Sequence, residues 1–393
     1  MNLEEYLKYT CTQIRKPMQI QDDSLNRLSF YILGSNYIKQ LNTYVVYSSE
    51  VYPRYIRLDE NDYIIWDNHF WYLYKYFLWI YSSYIDLQLS KEKCIFYCKS
   101  LLFLFLSSRF ERIPSLSRYI AEEYKKLKIK VPQYDRHEDS TNILTNKGYL
   151  NVKELGYMFG YCHEVAHIAF KEKNQLSNTV KSKVMNYCEE CIRLYNISKS
   201  LGDGNPNLEN IYSISKLLVE NNDRKILEEI CCDIIAMYTI TTHLEIQGAD
   251  KKEIADKIAC IDYFLFFIWW ISSAEQYWAA MRMVYLNPSA NDCAFVDEKS
   301  PFYNFGDRVN KELAVRSNFT YNFFAKFSKI SIQERRVIGK LLYGGFYDIL
   351  KESQGFDVIE KVLTKYSRSR KDFNSGLNHI CKKNRLVGWL GID

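Results

Sequence analysis

One short stretch dominates the interpretation of this chain: Gly160-Tyr161-Cys162-His163-Glu164-Val165-Ala166-His167-Ile168-Ala169-Phe170. It contains the pattern HExxH within residues that favour a helix. Side chains at positions i and i+4 lie on one face of a helix, so both imidazoles can reach the same metal ion. Glu164 then projects beside that ion, where it can hold and deprotonate a water molecule. The stretch therefore predicts a catalytic zinc site on a helix.

A second helical stretch offers the remaining ligand: Lys225-Ile226-Leu227-Glu228-Glu229-Ile230-Cys231-Cys232-Asp233-Ile234-Ile235-Ala236. A hydrolytic zinc site has three protein ligands and an open fourth position. Because Glu229 and Asp233 lie one helical turn apart, Glu229 can bind the metal while Asp233 accepts a hydrogen bond from a ligating imidazole. Glu228 is the alternative ligand, but Cys232 stands one turn after it and offers no second carboxylate. We predict one zinc ion per chain, bound by His163, His167 and Glu229.

The order HExxH and then ExxxD resembles the gluzincin group of zinc metallopeptidases, whose second helix often reads E-x-x-A-D-x-x-A. The resemblance covers residues 163–170 and 229–236. Cys232 stands where that group tends to have alanine, and Gly160 where many members have valine or threonine. The mostly helical segment between the two stretches is similar to the intracellular phage-exclusion (Lit-type) peptidases of bacteria. The resemblance implies a zincin-like catalytic core, hydrolysis of peptide bonds and a role in bacterial stress or phage defence.

The resemblance and the residue chemistry imply the same mechanism. Zinc lowers the pKa of water bound to it and polarises the scissile carbonyl. Glu164 takes the water proton as general base and then delivers it to the leaving amine. A further donor is expected to stabilise the oxyanion, and the candidates are Tyr238, His243, Tyr303 and Arg308. We expect the irregular segment 287–307 to face the substrate.

The hydrophobic patterns predict an α+β fold that is predominantly helical, with a small β-hairpin or sheet in its N-terminal part. Residues 1–40 are predicted as helix, and residues 55–66 as a hairpin around the turn Asp59-Glu60-Asn61-Asp62. Asn151 and Glu154 have the spacing of a capping box, which predicts that the HExxH helix begins there. The further predicted helices include 67–88, 91–107, 208–221, 224–246 and 250–286. Three regions are expected: an N-terminal helical and hairpin region (1–140), a zincin-like catalytic core (141–290), and an irregular segment with a basic helical C-terminal region (291–393).

Composition and the N-terminal sequence indicate the class of protein and its cellular compartment. Hydrophobic residues make up 47% and charged residues 25% of the 393-residue chain, which argues against bulk disorder. The apolar segments 63–87 and 263–271 both fall short of the roughly 20 uninterrupted apolar residues that span a bilayer. The N-terminus lacks the pattern of a secretory signal, and 11 cysteines cannot form a complete disulfide framework. We therefore expect a cytoplasmic protein. For a peptidase in that compartment, the expected partners are an intracellular protein substrate and an activating partner.

Two other functions remain open from the sequence. A non-catalytic, zinc-stabilised scaffold would use four protein ligands and would have no need of Glu164. A nucleic-acid-binding regulator would use the basic C-terminal region, where residues 321–393 hold fourteen Lys and Arg against seven Asp and Glu, a balance of 14 − 7 = +7. A solvated helical face explains the same charge more simply, so nucleic acid is not the expected partner.

The other cysteines and histidines are expected to be structural. Cys188 and Cys191 have CxxC spacing, but no second pair completes a tetrahedral zinc site. We expect Cys162, Cys231 and Cys232 to be small residues that pack near the site and do not bind the metal. The remaining histidines lack ligand spacing: His69, His137, His243 and His379.

Overall fold

The computed structural model describes nine stretches of the chain and ten further single positions. The stretches are 2–10, 18–20, 22–34, 41–47, 52–85, 88–109, 146–201, 206–220 and 224–286. The single positions are Phe319, Thr320, Asn322, Phe323, Phe324, Lys326, Phe346, Ile349, Leu350 and Ser353. The expected boundary near 135–140 lies outside them, and the division into three regions stays a prediction.

Helices dominate the described residues, as the sequence predicts. They are α1 (Leu3–Thr10), α2 (Asp23–Leu33), α3 (Asn68–Ile85), α4 (Lys91–Arg109), α5 (Asn146–Lys171), α6 (Gln175–Ser200), α7 (Pro206–Glu220), α8 (Arg224–Ile246) and α9 (Lys251–Leu286). The bounds of α8 agree with the predicted helix, which ends just before Gly248. Gly248 has a φ of 84° and donates its backbone N–H to the carbonyl of Glu245. Glycine tolerates this left-handed conformation, which terminates a helix cleanly.

The strands form one small sheet in the N-terminal part. They are β1 (Met18–Gln19), β2 (Leu41–Val46), β3 (Arg54–Leu58) and β4 (Asn61–Asp67), in the order β1-β2-β4-β3. β2 runs parallel to β4, whereas β1 pairs antiparallel with β2, and β3 antiparallel with β4. The predicted hairpin is therefore confirmed, with a tighter turn in which Asp59 has a φ of 53° and Asn61 already belongs to β4.

Two predicted boundaries are wrong. Residues 1–40 do not form one helix, since strand β1 lies between α1 and α2, and Asp22 caps the start of α2 with its side chain. The HExxH helix begins at Asn146 and not at Asn151. The spacing of a capping box also occurs inside helices, because residues three apart share a face, so Asn151 and Glu154 do not mark a start.

Aromatic packing positions the HExxH helix between the sheet and the neighbouring helices. Trp66 of β4 stacks on Tyr157 of α5 with ring centroids 4.6 Å apart, and Trp71 stacks on Phe264 of α9 at 5.8 Å. Gly160 leaves room for this arrangement, because a Cβ atom there would come 3.1 Å from the Phe264 ring. One buried cluster joins residues of α2 to α9. Within the described part of the chain, no helix has both the length and the apolarity to cross a membrane.

Candidate metal centre

The candidate site lies where α5 packs against α8. Small or β-branched side chains, Val165 and Ala166 on α5 and Cys232 and Ala236 on α8, are fully buried and let the two helices approach closely. The opposite edge of this contact carries the polar residues of both motifs. His163 is buried, and His167 and Glu229 are partly exposed. The packing therefore brings HExxH and ExxxD face to face, as the sequence predicts.

The three predicted ligands, His163, His167 and Glu229, converge on one point and form what we call the ligand cluster. The Nε2 atoms of His163 and His167 lie 3.2 Å apart. The Glu229 carboxylate lies 3.4 Å from His163 Nε2 through Oε2, and 3.7 Å from His167 Nε2 through Oε1. Around a tetrahedral zinc ion with bonds of about 2.0–2.1 Å, ligand atoms are roughly 3.3 Å apart. The nitrogen and oxygen donors therefore fit a first-row divalent metal without rearrangement, and they form the group of potential ligands found among the described residues.

The Nδ1 atoms of both imidazoles face carboxylates of α8. Asp233, which is only 1% exposed, places Oδ1 2.8 Å from His163 Nδ1, close enough for an ion pair although the contact is too bent to count as a hydrogen bond. Glu228 places Oε1 2.8 Å from His167 Nδ1. Carboxylates at this position fix the tautomer that leaves Nε2 available to a metal. Glu228 therefore lies on the far side of the His167 ring from the converging atoms.

Cys232 also approaches the rear of His167. Its Sγ atom lies 3.6 Å from His167 Nδ1, and burial raises the pKa of its thiol well above the usual range. A neutral thiol on the Nδ1 side is a packing group and a weak donor, not a competing ligand. Burial likewise raises the pKa of the Cys231 and Cys162 thiols.

Glu164 is held by the backbone of strand β3. The N–H of Tyr55 donates to Glu164 Oε2 at 2.7 Å. Burial is the main reason that the pKa of Glu164 is raised, whereas the neighbouring His163 and His167 and this hydrogen bond oppose the rise. β3 pairs with β4 through its other edge, so the Tyr55 amide is available to the helix. A carboxylate with a raised pKa beside the ligand cluster has the properties of a general base that later acts as an acid.

His163 carries the strongest electrostatic signature in the cluster. Burial lowers its pKa, but contacts with Asp233 and Glu229 outweigh burial and raise the pKa to about 10. A metal ion that binds Nε2 must therefore displace a proton. Metal affinity is expected to fall as the pH is lowered, since protons and metal compete for the same nitrogen.

An open cleft of about 410 Å³ adjoins the ligand cluster. Its lining comes from β3, α5 and α8, and consists of Arg54, Tyr55, Glu164, His167, Phe170, Lys171 and Glu228. The cleft thus gives solvent and a bound molecule access to Glu164 and to one ligand. Arg54, Tyr55 and Lys171 carry no motif, and sequence reasoning did not identify them. Helical spacing alone could have indicated Lys171, which follows His167 by one turn.

The structure does not bring the described oxyanion candidates to this cleft. The Tyr238 ring packs against Phe324 with centroids 5.3 Å apart, and His243 Nε2 pairs with the Gln247 side chain at 3.0 Å. His243 follows Glu229 by fourteen residues, which corresponds to about 21 Å along a helix. The other predicted substrate-facing positions lie outside the described residues: Tyr303, Arg308 and the segment 287–307.

The structure describes only some of the remaining cysteines and histidines. Cys188 and Cys191 are buried free thiols, and neither belongs to a cluster of three or more potential ligands in the part of the chain that the structure describes. His69 is partly buried, and burial lowers its pKa to about 4, which fits a structural role. The remaining predicted structural histidines, His137 and His379, lie outside the described residues, as do most residues of the basic C-terminal region.

Comparison with known proteins adds no relative. No known protein family, no curated protein and no solved structure matches this chain. The interpretation of the site therefore depends on its own geometry.

Proposed function

We propose that this chain is a zinc-dependent endopeptidase with a zincin-like catalytic core, in which Glu164 acts as general base. One observation supports this most strongly. The Nε2 atoms of His163 and His167 and the carboxylate of Glu229 converge at 3.2–3.7 Å, and Glu164 lies beside them at the wall of an open cleft. A structural zinc site would have no need of a partly buried carboxylate with a raised pKa at this position.

Each residue has a separate task in the proposed reaction. A bound zinc ion would activate water towards proton loss and polarise the scissile carbonyl. Glu164 accepts the proton of the attacking water on a carboxylate oxygen, and the Tyr55 amide keeps that carboxylate in place. After the C–N bond breaks, the same proton passes from Glu164 to the leaving amine. Asp233 and Glu228 hold the imidazoles through Nδ1 so that Nε2 stays directed at the metal.

The test is the substitution Glu164→Gln, measured on the full chain. Glutamine keeps the volume and can still accept the hydrogen bond from Tyr55, but it cannot take up a proton. We expect zinc content and thermal stability near wild type, and peptide hydrolysis reduced by at least about 10²-fold. Glu154→Gln is the matched control, because Glu154 is an exposed carboxylate of the same helix and does not line the cleft. Equal hydrolysis by the wild type and Glu164→Gln would contradict the proposal.

Metal analysis separates this proposal from a scaffold or nucleic-acid-binding role. Protein purified without chelators is expected to hold about one zinc per chain, and His163→Ala and His167→Ala are expected to lose it. If zinc is present but Glu164→Gln changes no activity, the zinc-stabilised scaffold is the better description. Salt-dependent binding of nucleic acid with no effect of these substitutions would favour the regulator.

We further propose a cytoplasmic setting in bacterial stress or phage defence, which follows from the stated resemblance. An intracellular protein is then the substrate, and uncontrolled cleavage would harm the cell. Expression of the wild type in bacteria is expected to slow growth or block phage propagation, while Glu164→Gln accumulates to the same level without either effect. Equal behaviour of the two proteins at equal abundance would argue against this setting.

A further inference from the structure

Two basic side chains line the same cleft as the proposed general base, Glu164. Lys171 follows His167 by one turn of α5, so it lies on the helix face that carries Glu164 and His167. Arg54 belongs to β3 and directly precedes Tyr55, whose amide holds Glu164. Both basic residues line the cleft beside the ligand cluster. Positive charge therefore lines the cleft both from the helix and from the strand.

Local contacts hold Arg54 at the cleft. Its Nε donates to the Tyr6 hydroxyl at 2.8 Å, and its Nη1 donates to the Tyr52 carbonyl at 3.4 Å. The guanidinium carbon also lies 5.5 Å from the centre of the Tyr6 ring. A guanidinium that is already positioned loses little conformational entropy when it binds an anion, and its planar donors match a carboxylate.

Lys171 is held more loosely. Its Nζ lies 5.4 Å from the centre of the Tyr55 ring, and no ion pair joins it to a carboxylate of the described residues. The two acids of the cleft have other partners, since Glu228 contacts His167 and Glu164 accepts from Tyr55. The exposed ammonium group of Lys171 therefore has the charge and the position to contact an anion in the cleft.

We infer that the cleft selects a peptide that presents a carboxylate close to the scissile bond, with Lys171 and Arg54 as the specificity-determining residues. The carboxylate can come from an acidic side chain or from a free C-terminus, since the same chemistry recognises both. The inference rests on the proposed function, because it names the class of peptide that this site would cleave.

The inference is tested by binding, so that turnover is not needed. The probes are fluorescent peptides of one sequence that differ at the residues flanking the central bond: Glu, Gln or Lys with an amidated C-terminus, and a shortened Gln peptide with a free C-terminus. They are titrated by anisotropy into zinc-loaded Glu164→Gln protein. We expect a carboxylate-bearing peptide to bind at least about tenfold more tightly than its neutral counterpart, and the Lys peptide to bind most weakly. The two carboxylate arms show which source the cleft prefers.

A matched pair of charge-reversal substitutions shows whether Lys171 is responsible for the carboxylate preference. Lys171→Glu in the Glu164→Gln background is expected to abolish the preference, whereas Lys173→Glu keeps it, because Lys173 is exposed and does not line the cleft although the net charge changes equally. Lys171→Met and Arg54→Gln are expected to weaken the preference without reversing it. Equal binding of the Glu and Gln peptides, with no gain from a free C-terminus, would overturn the inference. So would a preference that survives Lys171→Glu, since the carboxylate would then bind the metal or another group.

Turnover by the chain with Glu164 intact is measured on the same peptides. Failure to hydrolyse any of them, at a zinc content of about one per chain, would refute the peptidase proposal. Binding that depends on Lys171 would still support the carboxylate preference in that case. The two proposals therefore fail separately.

Discussion

Substitutions of two adjacent glutamates on α8, Glu228 and Glu229, are predicted to weaken metal binding to different extents. Glu229 places its carboxylate oxygens 3.4 Å and 3.7 Å from the two converging Nε2 atoms, whereas Glu228 lies 2.8 Å from Nδ1 of His167. Glu229→Ala and Glu228→Ala remove the same group, from the same helix, with the same change in charge. The main difference between them is the side of the imidazole that loses its carboxylate.

The magnitudes follow from these positions. Zinc sites bind with roughly 10–16 kcal/mol, so one of four ligands accounts for about 3–4 kcal/mol, or about 10²–10³-fold in affinity. Removal of a carboxylate behind a ligating histidine costs about 10–100-fold. The Glu228 side chain is 44% exposed, so water can replace it, and we expect the lower end of that range. Glu229→Ala should therefore bind zinc at least about tenfold more weakly than Glu228→Ala.

The assay is a zinc titration against a chelator of known affinity, with metal content and peptide hydrolysis measured on the same preparations. We expect Glu228→Ala to retain measurable zinc and turnover, and Glu229→Ala to lose turnover. Wild-type-like zinc affinity in Glu229→Ala together with metal loss in Glu228→Ala would refute the assignment. It would mean that α8 binds metal through the neighbouring residue.

Three further substitutions test one contact of the site and two features of the folded core. Asp233→Asn keeps the volume of a side chain that is 1% exposed. It is expected to weaken zinc binding by about 10–100-fold in the same titration. Unchanged affinity would show that the contact of Asp233 with His163 does not contribute to metal binding. Burial lowers the pKa of His69 from 6.5 to about 4. As the pH falls from about 6.5 towards 4, the unfolded chain binds a proton at His69 that the folded chain does not bind, so the free energy of unfolding decreases. Between pH 7 and 4.5, denaturant titrations should show that the wild type loses roughly 2–3 kcal/mol more stability than His69→Gln, and equal losses would contradict this. Gly156→Ala would place a Cβ atom 2.7 Å from the hydroxyl of fully buried Tyr74. The expected cost of this overlap, about 1–3 kcal/mol, exceeds the gain in helix propensity, so the melting temperature should fall. An unchanged melting temperature would show that Tyr74 can move aside.

Local spacing explains why the ligand cluster could be predicted from the sequence. His163 and His167 share a face in any helix that contains them, and Glu229 and Asp233 do so in theirs. The hairpin around Asp59 and Glu60 was likewise encoded locally, by two β-forming runs around a turn. These features depend on residues a few positions apart, and the structure reproduces them. The start of α5 was not predictable in this way, because capping residues also occur inside helices.

Tertiary packing alone decided what surrounds the cluster. The spacing of Glu229 and Asp233 predicted which carboxylate of α8 faces the Nε2 atoms, but only the rotation of α8 against α5 determines that Glu228 lies beside Nδ1 of His167. The partner of Glu164 lies 109 residues earlier in the chain, on the edge of a sheet whose register sets which amides point outward. A backbone N–H carries no residue identity, so a motif cannot encode it. The sequence by itself thus determined which groups can bind a metal, and the packing of β3, α5 and α8 determined their orientation and the charge of the cleft beside them.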